Sequence, residues 1–157
     1  MRSVMLLGVT ALILASCKQN GALSHEELFL NLRATYHKSD IQNFKQLILT
    51  SDKKYISQKA TRINKLSKAA KNELADNFKI DVNLINFKSI DDYLRFYFIL
   101  SKTSNRDILS TAINCNIARI EANERNAKYY MTNGINLYFT KEERYWKFCY
   151  EKSLNEN

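Results

Sequence analysis

The sequence predicts an α+β fold, with N-terminal helices packed on a C-terminal antiparallel four-stranded meander. Three observations lead there. Apolar residues recur at helical spacing behind capping signals as far as about Lys102, and from about Ile108 alternation at period two replaces that pattern. Asn133-Gly134, a hairpin signal, stands between two tyrosine-bearing runs. Three glycines and no proline among 157 residues argue against a many-turned β-sandwich. Gly8, Gly21 and Gly134 are too far apart to build a phosphate-cradling loop.

The elements follow in order. Ser24-His25-Glu26-Glu27 is a capping box, and Leu28, Leu32 and Tyr36 then recur every four residues, so 25–37 reads as an amphipathic helix. Ser39 with Gln42 offers a second capping box, followed by the stripe Ile41, Phe44, Leu47 and Ile48 in a helix ending near Leu49. Ile56, Ala60, Ile63, Leu66, Ala70, Leu74 and Phe78 lie within an arc of about 120° when wound as a helix. This stretch is either one long helix or two with a bend near Ser67. Residues 80–88 are irregular, and Ser89 with Asp91 and Asp92 opens a largely apolar helix to about Lys102. Ile113, Cys115 and Ile117 alternate with polar or small neighbours as a first strand. Residues 127–132 and 135–140 should pair across the Asn-Gly turn, both of whose residues tolerate positive φ. Lys141 to Arg144 turn into a last strand over 145–150, with Trp146, Phe148 and Tyr150 on one face and Lys147 and Cys149 on the other.

Composition bounds the rest. With 45% apolar and 25% charged residues the chain is a folded domain, not a disordered one. Its 24 Lys and Arg against 16 Asp and Glu give a formal charge of +8. Much of the excess gathers at Lys53, Lys54, Lys59, Arg62, Lys65, Lys68 and Lys71, with no acid between Lys53 and Glu73. Three readings fit these seven cations: a solvated helix surface, a contact with anionic lipid headgroups, or a face for an acidic protein.

The N-terminus carries its own pattern. Met1-Arg2 precedes the eleven-residue apolar run Val4–Leu14, which as a helix is about 16 Å long, half of what a bilayer core requires. Leu14-Ala15-Ser16-Cys17 at its end resembles the lipobox of bacterial prolipoproteins. The resemblance implies cleavage before Cys17, a diacylglyceryl group on its sulfur and an acyl chain on its amine. Residues 1–16 are then a signal peptide, 17–23 a lipidated tether and 24–157 a single globular domain. The mature protein loses Arg2 and no acid, so its charge is one below +8. The protein is expected in the cell envelope, held to the bilayer through acylated Cys17. By the same resemblance, Lys18 in place of Asp implies the periplasmic face of the outer membrane where a cell has two membranes. Export also places Cys115 and Cys149 in an oxidising compartment, where they are a candidate disulfide, although strand parity sets them on opposite faces.

Over residues 24–150, the order of helices then strands, with a basic turn leading into Tyr145-Trp146-Lys147-Phe148, resembles small exported members of the nuclear transport factor two-like (cystatin-like cone) superfamily. The resemblance implies a cone-shaped roll whose pocket would be lined by Tyr130, Leu137, Phe139, Trp146 and Phe148. The family's catalytic Asp and His have no recognisable counterpart in this chain.

No motif assigns catalysis. His25 and His37 lie twelve residues apart with no second ligand at metal-binding spacing, and no G-x-S-x-G occurs. Asp91 and Asp92 are explained by a first helical turn. The expectation is therefore no enzyme, no cofactor and no metal. An exported location also argues against nucleic acid. The expected function is that of a membrane-anchored, non-enzymatic binding or accessory domain, its partner an envelope protein or a small ligand. The alternative is a protective lipoprotein for immunity, exclusion or inhibition, which binds a toxin, phage or envelope hydrolase.

Overall fold

The computed structural model describes residues 22–103 and 108–156. The lipobox and Cys17 lie outside the described residues. Helices α1 (His25–Lys38), α2 (Ile41–Leu47), α3 (Thr50–Asn64), α4 (Lys68–Phe78), α5 (Ile90–Thr103) and α6 (Ile108–Ile113) precede the sheet. Strands β1 (Ile117–Ala122), β2 (Asn126–Met131), β3 (Asn136–Glu142) and β4 (Tyr145–Phe148) form an antiparallel meander in that order, and α7 (Tyr150–Asn155) follows it. The fold is α+β, as the sequence predicts.

Local side-chain bonds start and stop the helices. Ser24 Oγ accepts the Glu27 amide at 3.1 Å, and the Glu27 carboxylate accepts the Leu23 amide at 2.8 Å. Ser89 Oγ accepts the Asp92 amide while Asp92 Oδ2 accepts the Ser89 amide, a reciprocal cap at the start of α5. Ser67 Oγ accepts the Ala70 amide, so the basic stretch is two helices broken at that residue. Ser39 has a different role from the expected one. It ends α1 in the left-handed region at φ 54°, and Asp40 caps α2 by accepting the Asn43 amide at 3.1 Å.

Aromatic rings join the two layers. A continuous series of ring contacts runs from Phe29 on α1 through Tyr129, Phe139 and Phe148 of the sheet to Tyr150 on α7. It returns through Phe44 on α2 and Phe98 on α5 to Tyr36 on α1. Each such pair adds about 0.5–1.5 kcal/mol beyond the burial of its area. The inner face of β2, β3 and β4 is thereby filled.

The strand region departs from expectation at three points. Ile113 ends α6, and β1 begins only at Ile117, because Ile113 and Ala112 are buried against the helices instead of alternating. The last strand stops at Phe148. There Asp52 Oδ2 accepts the Tyr150 amide at 2.6 Å, which starts α7 instead of continuing the ladder. At the hairpin Met131 N donates to Ile135 O and Gly134 N to Met131 O. Only Gly134 takes a positive φ there, 85°, so the connection is a three-residue loop with a glycine bulge and Asn133 stays at negative φ.

The sheet order also decides the cysteines. Cys115 precedes β1 at one edge, and Cys149 follows β4 at the other, three strand spacings or about 14 Å across. A disulfide needs Cα atoms within about 7 Å. Both thiols are free in the structure, and the expected bridge is absent.

Candidate functional site

The face of the sheet turned away from α1 carries the most organised polar chemistry. Strand β2 alternates in burial, with Ala127, Tyr129 and Met131 inward and Lys128 and Tyr130 outward. Arg119 on β1 stands opposite Tyr130, and Lys128 stands opposite Tyr138 on β3. The outward side chains therefore form a row across three strands: Arg119, Tyr130, Lys128, Tyr138, and then Lys152 from α7.

The row alternates cations and rings. Arg119 lies 4.1 Å from the Tyr130 centroid, and Lys128 Nζ lies 4.4 Å from Tyr130 and 5.2 Å from Tyr138. Lys152 Nζ lies 4.5 Å from the Tyr138 centroid. Each exposed cation–π contact is worth about 0.5–1 kcal/mol, which offsets part of the entropy of ordering a long side chain. The Tyr138 phenol, and to a lesser degree that of Tyr130, hold the Lys128 ammonium above its ordinary pKa. Glu121 accepts the Tyr130 hydroxyl at 2.7 Å and pairs with Arg119 at 3.0 Å. Three cations against two carboxylates, Glu121 and the Glu156 that pairs with Lys152 at 3.9 Å, leave this row with a net positive charge. Beside it a hollow of about 500 Å³ is lined by Lys128, Tyr138 and Lys152 with Asn123, Asn126 and Thr140. Such an arrangement presents fixed donors to carboxylate or phosphate oxygens.

The pocket expected from the cone resemblance is not assembled. Leu137, Phe139, Trp146 and Phe148 are buried in the aromatic core, and Tyr130 faces outward on the opposite side of the sheet. The five do not line one cavity, because α1 occupies the space in front of the inner face through Phe29. Trp146 instead packs edge-on against His25 at 5.0 Å. His25 Nδ1 is 2.8 Å from the Tyr129 hydroxyl, and burial pushes the Tyr129 phenol up to about 12.

The seven cations of the basic stretch do not converge. Lys53, Lys54, Lys59 and Arg62 lie on α3 around the buried line of Ile56 and Ala60. Lys65 follows α3, and Lys68 and Lys71 lie on α4 beyond the break. Lys59 rests over the Tyr55 ring at 4.6 Å. Lys53 borders a mixed-charge groove of about 650 Å³ with Glu142, Glu143, Arg144 and Lys147. Lys68 and Lys71 flank a shallower hollow with the exposed Leu66 and Val82.

Titratable groups elsewhere hold the fold. Asp52 joins α3 to the start of α7, and burial pushes its carboxyl up to about 6 against the Tyr150 and Glu151 amides that lower it. Burial, and then the Asp52 charge, push the adjacent Cys149 thiol up to about 12, so it is no thiolate near neutral pH. Asp91 is paired to Lys45 at 2.6 Å and accepts from Gln42 at 2.7 Å, and the Lys45 bond holds its carboxyl below the usual range. Among the described residues no three His, Cys, Asp or Glu side chains gather to hold a metal.

Sequence reasoning placed Tyr130 in the lining of a pocket and singled out neither Lys128 nor Lys152. The usable signal was parity: with the hairpin placed, Lys128 and Tyr130 must share the face opposite Tyr129. Arg119 and Lys152 could be added only by the register and by the course of the chain after β4. No protein-family model matches this chain, and no curated protein and no solved structure shows significant similarity to it.

Proposed function

We propose that this protein is a lipid-anchored, non-enzymatic binding domain of the bacterial cell envelope, and that the outer sheet face binds its anionic partner. One observation carries the binding assignment: Arg119, Lys128 and Lys152 are held in line by Tyr130 and Tyr138 on a sheet face. Cations already restrained by the rings lose less side-chain freedom on binding, so each contact retains more of its energy. The anchor rests on the sequence Leu14-Ala15-Ser16-Cys17. Two or more acyl chains give stable attachment, whereas one gives marginal attachment.

Two measurements test the two halves separately. Labelled palmitate should enter the wild-type protein and not Cys17→Ser; equal labelling removes the anchor. A photoreactive side chain at Tyr130 should crosslink a defined cell component in living cells, whereas one at Leu30, exposed on α1, should not. The Tyr130 adduct should fade in the Lys128→Ala/Lys152→Ala variant. Loss of contrast between the two positions sinks the assignment of the face. Recovery of an acidic toxin, phage protein or envelope hydrolase would specify a protective role for the same surface.

A further inference from the structure

The two edges of the sheet are treated differently. Trp146 N donates to Ala22 O at 2.8 Å and Leu49 N donates to Phe148 O at 3.2 Å, so neighbouring backbone closes the edge of β4. Strand β1 has no such cover among the described residues: all six of its residues are exposed, Ile117 at 37% and Ile120 at 41%. Open edges of this kind template pairing with another strand.

The orientation of the free groups follows from the ladder. Asn123 N donates to Asn126 O at 2.8 Å, so that pair faces inward, and antiparallel alternation turns the backbone groups of Glu121 and Arg119 toward β2 as well. Ile120 and Ala122 then present their N–H and C=O to the open side. Side chains alternate in the same way, with Ile120 on the inner face and Arg119 and Glu121 on the outer face.

We propose that β1 pairs antiparallel with β1 of a second copy of this chain, about a two-fold axis at Ile120, to give one eight-stranded sheet. The sequence Ala118-Arg119-Ile120-Glu121-Ala122 is self-complementary in that register. Ile120 meets Ile120 of the second copy through two hydrogen bonds, and each Arg119 meets a Glu121 directly across the non-hydrogen-bonded pair, where side chains approach most closely. The flanking Ala118 and Ala122 are small, so nothing bulky obstructs the seam. The same two charges repel strands that lack a matching pair, and the irregularity between Ile117 and Arg119 limits the edge to a short segment. This edge therefore selects its own copy. An isologous contact of this type closes at two and does not propagate. It extends the outer face, bringing the two Arg119 ends of the cation–tyrosine rows together.

Thiol crosslinking of the purified full chain tests the register. In a Cys115→Ser background, Ile120→Cys places two thiols on a hydrogen-bonded pair with Cα atoms about 5.5 Å apart, within disulfide range. With diamide as oxidant this variant should form a covalent dimer at least ten-fold faster than Ala122→Cys. Residue 122 lies four positions from its own copy in the proposed register, about 13 Å. Arg119→Glu added to Ile120→Cys should slow dimer formation, and Arg119→Glu/Glu121→Arg should restore it. Absence of an Ile120→Cys dimer in protein whose Trp146 fluorescence is native overturns the proposal, as does equal crosslinking at 120 and 122. Neither outcome bears on the anionic-partner test, which reads Tyr130 adducts.

Discussion

Replacing Asp52 with asparagine removes the carboxylate that α3 buries against the start of α7. The residue is 3% exposed, and its Oδ2 accepts the Tyr150 amide at 2.6 Å. Burial is the largest influence on it and raises its pKa from 3.8 to about 6. The folded state therefore holds the proton more tightly than the unfolded chain. The resulting stability is fully present below about pH 4 and is lost as pH rises through about 6. At about 1.4 kcal/mol per unit, the two-unit shift amounts to about 3 kcal/mol. The asparagine side chain keeps an acceptor for the Tyr150 amide but has nothing to titrate. Urea unfolding followed by Trp146, the single tryptophan, gives both stabilities at each pH. The wild-type stability minus that of Asp52→Asn should rise by about 2.5 kcal/mol between pH 7.5 and pH 4, most of the full shift. A difference that stays flat, or falls on acidification, refutes the reasoning; the helix-start amides would then outweigh burial.

Three further outcomes are expected. In native protein at pH 8, iodoacetamide should label half-buried Cys115 at least ten-fold faster than Cys149, whose thiol is pushed up to about 12, as read by peptide mass spectrometry. Asn64→Ala removes both bonds that clamp Phe87, its Oδ1 at 2.9 Å from the Phe87 amide and its Nδ2 at 2.7 Å from the Phe87 carbonyl. It should cost about 1–3 kcal/mol in urea, and an unchanged midpoint would show that solvent replaces the clamp. Gly134→Ala puts a Cβ where no atom lies within 4 Å, so only the φ of +85° opposes it. The cost should be about 1–2 kcal/mol, and a loss well above that would mean the loop packs more tightly than described.

How far the fold was legible depended on the range of the interaction. The starts of α1 and α5 were readable because Ser24 caps within three residues and Ser89 with Asp92 does likewise. The second helix was misassigned at its cap: Ser39 and Asp40 both have cap chemistry, and termination of α1 in the left-handed region took Ser39 first. The Ile113-Cys115-Ile117 alternation was too short to separate a strand from the last turn of a buried helix. Tyr150 followed the parity of β4 in sequence, yet Asp52, 98 residues earlier, drew its amide into α7. Of the candidate site, Tyr130 alone was singled out, and on the wrong face.

The sequence by itself determined the order of helices before strands, the hairpin at Gly134, the absence of a glycine-rich phosphate loop and the lipobox-like start. Each of these is written in residues a few positions apart, where side-chain types act directly on their own backbone. Only the tertiary structure decided which sheet face α1 would fill, which edge would stay open at β1, and that Cys115 and Cys149 stand at opposite edges. It also aligned Arg119, Lys128 and Lys152 in one row. Those outcomes depend on strand register and on which surfaces exclude water from one another, and both are settled by packing among residues distant in the chain.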